Sequence, residues 1–563
     1  MTLRSKRWQI APPVPPEAQI ELSKFPPVLQ QILYTRGYQD HDSALAFLNA
    51  DAPFNTDPFG LSGMEQATDR IQSAIRLSQP IAVYGDYDAD GVTATTLLTQ
   101  VLRQLGAITR SYIPNRFDEG YGLNMEAIES LAQSGIRLVV TVDCGIRSPE
   151  EAEYARSLGL DLIISDHHHP GPDLPQAVAL INPKLSYDNY PDKNLAGVGL
   201  AYKLASALSA SISPEIADNC LDLVALGTVA DLVPIIGENR SLVRQGLKRI
   251  REPYRQGLAA LINVAGLQAP KITASDIGYI LGPRLNAAGR LDTAVSSLKL
   301  LLTQDVFEAG QLAQLLEMQN KERQQLTVKI QEDAEKAALA RTPDPLLLFA
   351  SSAAYNSGVV GLAASRLTEK YYRPAIVATQ GEEFTRASCR SIPEFHITQA
   401  LDQCAKLLEH HGGHAAAAGF TVRNGLVPEL IARLDQIAAD QLADMELQPT
   451  LKADLEWPLS ELKPDILKHL KWLQPTGIGN PQAHFVSRNL LVKNSRQIGR
   501  ESNHLKLTVT DGAITFDAIA FRQGQWHDNL PKRIDLLYVF EANEFNGRTT
   551  LQLNVLDIKP SEA

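Results

Sequence analysis

Cysteine is scarce. The four in this 563-residue chain, Cys144, Cys220, Cys389 and Cys404, lie far apart and form no C-x-x-C pair. That excludes a disulfide framework and a zinc knuckle and predicts a reducing, cytoplasmic setting. Long apolar runs are missing as well. The longest uncharged stretch, residues 345–365, is interrupted by Tyr355-Asn356-Ser357-Gly358 and is too polar to cross a bilayer. The opening segment "MTLRSKRWQIAPPVPP" carries bases but no apolar core, so no secretory signal is expected. A basic excess is also lacking. The net charge is −11, which argues mildly against nucleic-acid binding as an overall property. Charge is local, however: between Ala483 and Thr510 stand Arg488, Lys493, Arg496, Arg500 and Lys506, against the single acid Glu501. Alone, such a run reads as a solvated strand face.

What is present is an ordinary globular composition, 44% hydrophobic and 21% charged, long enough for two to four domains. Residues 1–60 are Pro-rich, with one amphipathic helical stretch around Pro27–Asn49. Over 61–302 strands and helices alternate. "IAVYGD", "IRLVVTVD" and "DLIISD" read as buried strands, and the segments following them as helices, with Asn124 and Ser148 as expected caps. This order predicts a parallel sheet covered on both faces. Residues 303–342 form one long charged helix, a rigid connector. A second, smaller α/β module occupies 343–445. Residues 451–560 change to alternating strands around Asp511-Gly512 and Asn546-Gly547 turns, which predicts a small all-β barrel.

Within "IAVYGDYDADGVTATTLL", Asp86, Asp88 and Asp90 stand at alternate positions, and three like charges this close need compensation. An EF-hand loop would require Glu at the twelfth position, where Leu97 stands, and a helix before the cluster, where a strand is expected. A polar turn capped by Asp90 explains one acid and leaves two. Asp143 ends the next strand, and Asp166, His167 and His168 end the one after. Sites in parallel sheets form beyond the strands' carboxyl ends. Carboxylates mixed with imidazoles suit Mn²⁺, and oxygen donors suit Mg²⁺. Bridging aspartates suggest a pair of such ions, which can activate water against a phosphate.

"DYDADG", "VDCG", "SDHH" and "LDLVALGTVADLVP", in this order, resemble the motifs of the DHH phosphoesterase superfamily. The resemblance implies a ligand set of Asp86, Asp88, Asp90, Asp143, His167, His168 and Asp231 around two divalent ions, Mn²⁺ or Mg²⁺. All but Asp86 are also carried over as catalytic residues. Where some members have His, this chain has Tyr84; His169 lies outside the pattern. "HHGGHAAAAGF", "NSGVVGLAASRL" and "ASCRSIP" resemble the DHHA1 module, implying phosphate contacts from Ser388, Arg390, Ser391, Gly413 and His414. Members often have His where Asn356 stands. Further matches add Arg116 in "IPNRFDEGYG" and Arg284, Asn286 and Arg290 in "GPRLNAAGRL" as substrate contacts.

With the connector and the terminal β module, which the resemblance makes an OB-fold, the whole chain is similar to the RecJ family of single-strand-specific exonucleases. The resemblance implies 5′→3′ hydrolysis of single-stranded DNA to 5′-mononucleotides, in recombination and repair. It also implies a soluble, cytoplasmic monomer that cooperates with single-strand-binding protein and a helicase. The basic run then becomes a candidate groove, with Phe485 or Trp526 as stacking partners. Two other readings are open: a DHH phosphodiesterase for short RNA or cyclic dinucleotides, and an inactive helicase accessory. The first is typically shorter, without a terminal β module; the second loses the acids that this chain keeps.

Overall fold

In the computed structural model, which describes residues 6–51, 56–545 and 548–561, the first module is built on five parallel strands. Their order across the sheet is Thr109–Tyr112, Ile81–Gly85, Leu138–Val142, Asp161–Ser165 and Ala179–Ile181. The period of two divides each strand between two cores. Ile81 and Val83, Leu138 and Val140, and Ile163 enter one. Ala82 and Tyr84, Val139, Leu162 and Ile164 enter the other. Asn124 caps its helix as expected, its Oδ1 accepting from Ala127 N–H. Ser148 does not: no side-chain cap bond forms there, and Pro149 supplies the preset backbone angle instead.

The connector is a single helix, Val306–Arg341, of 36 residues, about 54 Å long at 1.5 Å per residue. Asp305 caps it, accepting from Glu308 N–H. Its first half contributes Ala309, Ala313 and Leu316 to the core of the first module. Its second half contributes Ile330, Ala334 and Ala338 to the second module. That module holds a mixed sheet ordered His410–Gly413, Ala417–Arg423, Phe384–Arg390, Ala375–Gln380 and Leu348–Ser352.

The C-terminal strands close on themselves. His484–Ile498 pairs on one side with His504–Thr510 and on the other with Arg533–Phe545, through register shifts that bend this long strand. Thr515–Ala520 and Arg548–Pro560 complete the barrel. The Asp511-Gly512 turn is where expected, with Gly512 at φ 100°; the Asn546-Gly547 turn lies outside the described residues.

The N-terminal segment differs from the expected single helix. Two helices, Pro27–Thr35 and His41–Asn49, are separated at Gly37, whose φ is 89°. Leu29, Ile32, Leu33 and Phe47 pack into the same core as Phe485, Leu507 and Tyr538 of the barrel. The strand Arg7–Ile10 pairs with Thr450–Ala453. The N-terminal extension thus completes the C-terminal module. Arg240, on the helix Gly237–Arg251 of the first module, joins all three parts. It is 1% exposed and donates to the carbonyls of Phe47, Trp472, Leu473, Gln474 and Pro475 at 2.7–3.1 Å.

Candidate metal centre

The buried strand Ile81–Gly85 delivers Asp86, and the chain then turns into the helix Ala89–Gln104. Asp88, not Asp90, caps that helix: its Oδ1 accepts from the N–H groups of Asp90 at 2.9 Å and Gly91 at 3.1 Å. The turn is tight enough that a Cβ on Gly91 would lie 2.5 Å from Asp86 O. Asp90 points to the start of the helix Gly197–Ser209, accepting from Gly197 N–H at 2.7 Å and Val198 N–H at 2.8 Å. Positive partial charge at a helix N-terminus suits a carboxylate. Asp143 follows its strand at φ 65°, a left-handed conformation that costs a non-glycine residue about 1–2 kcal/mol. Gly197 makes room for its carboxylate, because a Cβ there would sit 2.5 Å from Asp143 Oδ1.

His167 Nε2 lies 3.1 Å from Asp143 Oδ1 and 3.6 Å from Asp231 Oδ2. Asp231 closes the helix Leu221–Ala230. Three overlapping groups each bring one donor atom per residue within 4.8 Å: Asp143, His167 and His168; Asp90, His167 and Asp231; Asp86, Asp88 and Asp143. All seven ligands implied by the resemblance are therefore gathered in one place. Asp86 Oδ1 is buried without a hydrogen-bond partner, and Asp143 Oδ1 and His167 Nε2, though 3.1 Å apart, make no hydrogen bond either, which is costly unless something else meets them.

The electrostatics agree. Burial, then the charge of Asp88, pushes Asp86 well above the usual carboxylate range. Burial, then Asp90 and Asp88, does the same to Asp143 and Asp231. Asp90 is pushed up to about 7 by burial and Asp88. His167 is pushed down to about 3, by burial first and then by His168, so its imidazole is neutral at pH 7 and keeps a lone pair to offer. Orphaned buried oxygens, acids driven toward protonation and a neutral imidazole are what a divalent-cation site looks like before its charge is balanced. The donors are oxygen and nitrogen only, which suits Mn²⁺, and Mg²⁺ through the oxygens.

Asp166 supports this set from behind. Its Oδ1 accepts from His168 N–H at 3.0 Å and lies 2.7 Å from His168 Nδ1, and its Oδ2 accepts from Ile146 N–H. Burial raises the Asp166 carboxyl, but the bond and charge from His168 outweigh it and hold the group below its ordinary value. This is the carboxylate–histidine arrangement that orients a metal-ligating ring. Tyr84 takes no part: its hydroxyl donates to Gly122 O and accepts from Asn124 Nδ2 within its own core.

The expected substrate contacts divide. Arg116 lies over the Tyr87 ring, 4.1 Å from its centroid. The half-buried Arg290 is pushed down to about 10 by desolvation and then by the charge of Arg116, with Asp88 and Arg390 also in reach. Gly358 of the second module packs on the Arg290 backbone so closely that a Cβ would meet Arg290 O at 2.0 Å. Gly361, in the first turn of the helix Val360–Tyr371, faces Ser388 Oγ and an Arg390 guanidinium nitrogen. A helix N-terminus, a guanidinium and a hydroxyl together are the kind of donor set that suits a phosphate.

Other residues are engaged elsewhere. Arg284 pairs with Glu317 on the connector and donates to Ile280 O. Asn286 Oδ1 accepts from Ala89 N–H at 2.7 Å, fixing the aspartate turn. Ser391 donates to Phe395 O, closing a turn. Gly413, at φ 145°, abuts Ala417 and Ala418 and lets the exposed His414 reach across to His169, ring centroids 6.1 Å apart. In the barrel, Phe485 is wholly buried against Tyr538 and cannot stack on a base, and Trp526 packs on the core. Arg488 is paired with Glu456 and Asp535, and Lys506 with Asp517. Among the described residues of the C-terminal module, the exposed aromatic rings are Phe521 and, ahead of the barrel, Trp472.

Fold and site together define a DHH-type phosphoesterase. The DHH family N-terminal domain matches residues 80–228, the DHHA1 domain 344–440 and the RecJ OB domain 453–557. The single-stranded-DNA-specific exonuclease RecJ of Bacillus subtilis is 38% identical over all of this chain and 72% of its own length. Its Escherichia coli counterpart is 36% identical over 96% of each. The crystal structure of RecJ from Thermus thermophilus in complex with Mn²⁺ superposes with a TM-score of 0.85 at 29% identity, covering 99% of this chain and 80% of that one. The chain belongs to the RecJ family. Among the described residues, no helix is long and apolar enough to cross a membrane.

Proposed function

We propose that this protein is a single-strand-specific DNA exonuclease that hydrolyses the terminal phosphodiester 5′→3′ and releases 5′-mononucleotides, in DNA recombination and repair. The observation that carries this reading is the convergence of five carboxylates and two imidazoles on orphaned, buried donor atoms beside a group of arginines. Asp86, Asp88, Asp90, Asp143, His167, His168 and Asp231 would hold two divalent cations, Mn²⁺ or Mg²⁺. Bound there, such ions supply the charge that acidifies a water and offsets the negative charge gathering on the phosphate oxygens.

The chain's own residues do the rest. Asp166 fixes the ring of His168. Asn286 holds the turn that presents Asp86 and Asp88. Arg116, Arg290 and Arg390, with Ser388, take the terminal phosphate and place the adjacent bond beside the carboxylates. The connector sets the two α/β modules on either side of this cleft, which admits one strand. The C-terminal module, with Phe521 and Trp472 exposed, extends the contact along it. The same reading includes a cytoplasmic monomer acting with single-strand-binding protein and a helicase.

A panel of 5′-labelled single-stranded DNA, an RNA dinucleotide and a cyclic dinucleotide, each with Mn²⁺, tests it. Preference for the long DNA strand is expected. Preference for either dinucleotide would replace this reading by that of a small-substrate phosphodiesterase, and no turnover of any by that of an inactive accessory.

A further inference from the structure

Two groups of basic side chains flank the carboxylates, and only one has been given work. Arg116 and Arg390 gather about Arg290, which also faces Asp88. The second group, Lys184, Arg147 and His414, gathers about His169, with Lys184 also facing Asp231 and Asp166.

Lys184 follows the strand Ala179–Ile181, at the same carboxyl edge that carries the acids. Asn182 fixes it there: Oδ1 accepts from Lys184 N–H at 2.8 Å, while Nδ2 donates to His168 O at 2.9 Å. The ammonium is half-buried, and burial lowers it while Asp231 and Asp166 pull the other way. Arg147 comes from the loop after Asp143, and its Nε donates to His169 O at 2.6 Å. His414 reaches in from the second module, its ring 6.1 Å from that of His169. Burial, then Arg147, His168 and Lys184, lowers it. The ion pairs of this site belong to His167 and His168. Among the described residues neither Lys184 nor Arg147 forms one with a carboxylate. Two cations of the first module that pair with no carboxylate, joined by an imidazole from the second at the edge of a phosphate-cutting site, lack an anion.

We propose that Lys184, Arg147 and His414 form a second phosphate subsite, which holds the backbone phosphate on the 3′ side of the scissile bond. The inference rests on the exonuclease reading and deepens it: the arginine group grips the terminal phosphate, and this group grips the strand that remains. An anchored strand stays in place after each nucleotide leaves. Arg116 and Arg290 alone would lose their ligand with every product.

A double variant, Lys184→Gln with Arg147→Gln, tests this on two substrates, the 5′-phosphorylated thymidine dinucleotide and trinucleotide. Only the trinucleotide carries the extra phosphate. The ratio of kcat/KM for trinucleotide over dinucleotide should fall about 10-fold, the scale of one charge-assisted phosphate contact. Independently, binding of a labelled oligothymidylate without metal, followed by anisotropy, should show a salt slope shallower by about 0.7, the value for one phosphate of a single strand. An unchanged ratio with an unchanged slope overturns the subsite. So does an equal fall on both substrates, which would place Lys184 at the carboxylates. A wild type that binds the strand but hydrolyses neither oligonucleotide would sink the exonuclease reading and leave the salt slope to decide the subsite.

Discussion

Raising the pH on the metal-free protein should destabilise its catalytic module, and a divalent cation should reverse the loss. Asp90 sets the scale. Burial and then Asp88 move its carboxyl from 3.8 to about 7. Between those values the folded chain binds more protons than the unfolded one. Stability therefore falls as the pH climbs from about 4 to about 7, and the full loss persists above that. About three pKa units, at about 1.4 kcal/mol each, give about 4 kcal/mol. Asp86, Asp143 and Asp231 shift the same way and add to it, whereas His167, pushed down to about 3, works against it below pH 6.5 but is neutral with or without the cation and so drops out of the comparison. At 2–4 °C per kcal/mol for a module of this size, Asp90 alone is worth about 10 °C. A bound cation favours the ionised forms, so the loss should vanish with Mn²⁺ in excess. Thermal unfolding of the full chain, scanned from pH 4 to 8 with and without Mn²⁺, reads the gap between two curves, so titration elsewhere cancels. Calorimetry at pH 6 in two buffers of different ionisation enthalpy should show protons released as Mn²⁺ binds. A gap that stays constant or narrows as the pH rises would refute the reasoning.

Asp166→Asn should lower Mn²⁺ affinity 10–100-fold by releasing the His168 ring, measured by electron paramagnetic resonance titration. Arg240→Met should cost about 3 kcal/mol or more, because it leaves the carbonyls of Trp472 and Gln474 without a donor and removes one from those of Phe47, Leu473 and Pro475; denaturant unfolding and faster proteolysis around residues 471–483 would register it. Asp88→Ala should abolish hydrolysis while single-strand binding, read by anisotropy, stays within a few-fold of wild type.

Much of this was legible because strand ends carry chemistry. The acids after "IAVYG", "LVVTV" and "DLIIS" sit where the parallel sheet puts them, and so does Asp166. The same rule applied to the next strand, "ALINPK", would have found Lys184. It was hidden because a lysine after a short strand has no motif of its own. What did not follow from sequence depended on partners distant along the chain. Nothing around Arg284 announces Glu317 on the connector, and nothing around Asn286 announces the Ala89 N–H. Phe485 lies in a basic run, yet its neighbours along the strand say nothing of Tyr538, which buries it. The N-terminal helices read as an extension because their core lies more than 400 residues away in the barrel. The Asp88 cap was a matter of two positions: either aspartate could have taken it, and the helix Gly197–Ser209 claimed Asp90.

Acids and imidazoles from separate strand ends, on this account, grip divalent cations and cut a DNA terminus. A time course on a long single strand, labelled separately at each end and run with Mn²⁺ and with a chelator, tests that most directly. The 5′ label should appear at once as mononucleotide, the 3′ label should stay on a shortening strand, and both processes should stop on chelation. Full activity after exhaustive chelation, or early release of the 3′ label, would contradict it.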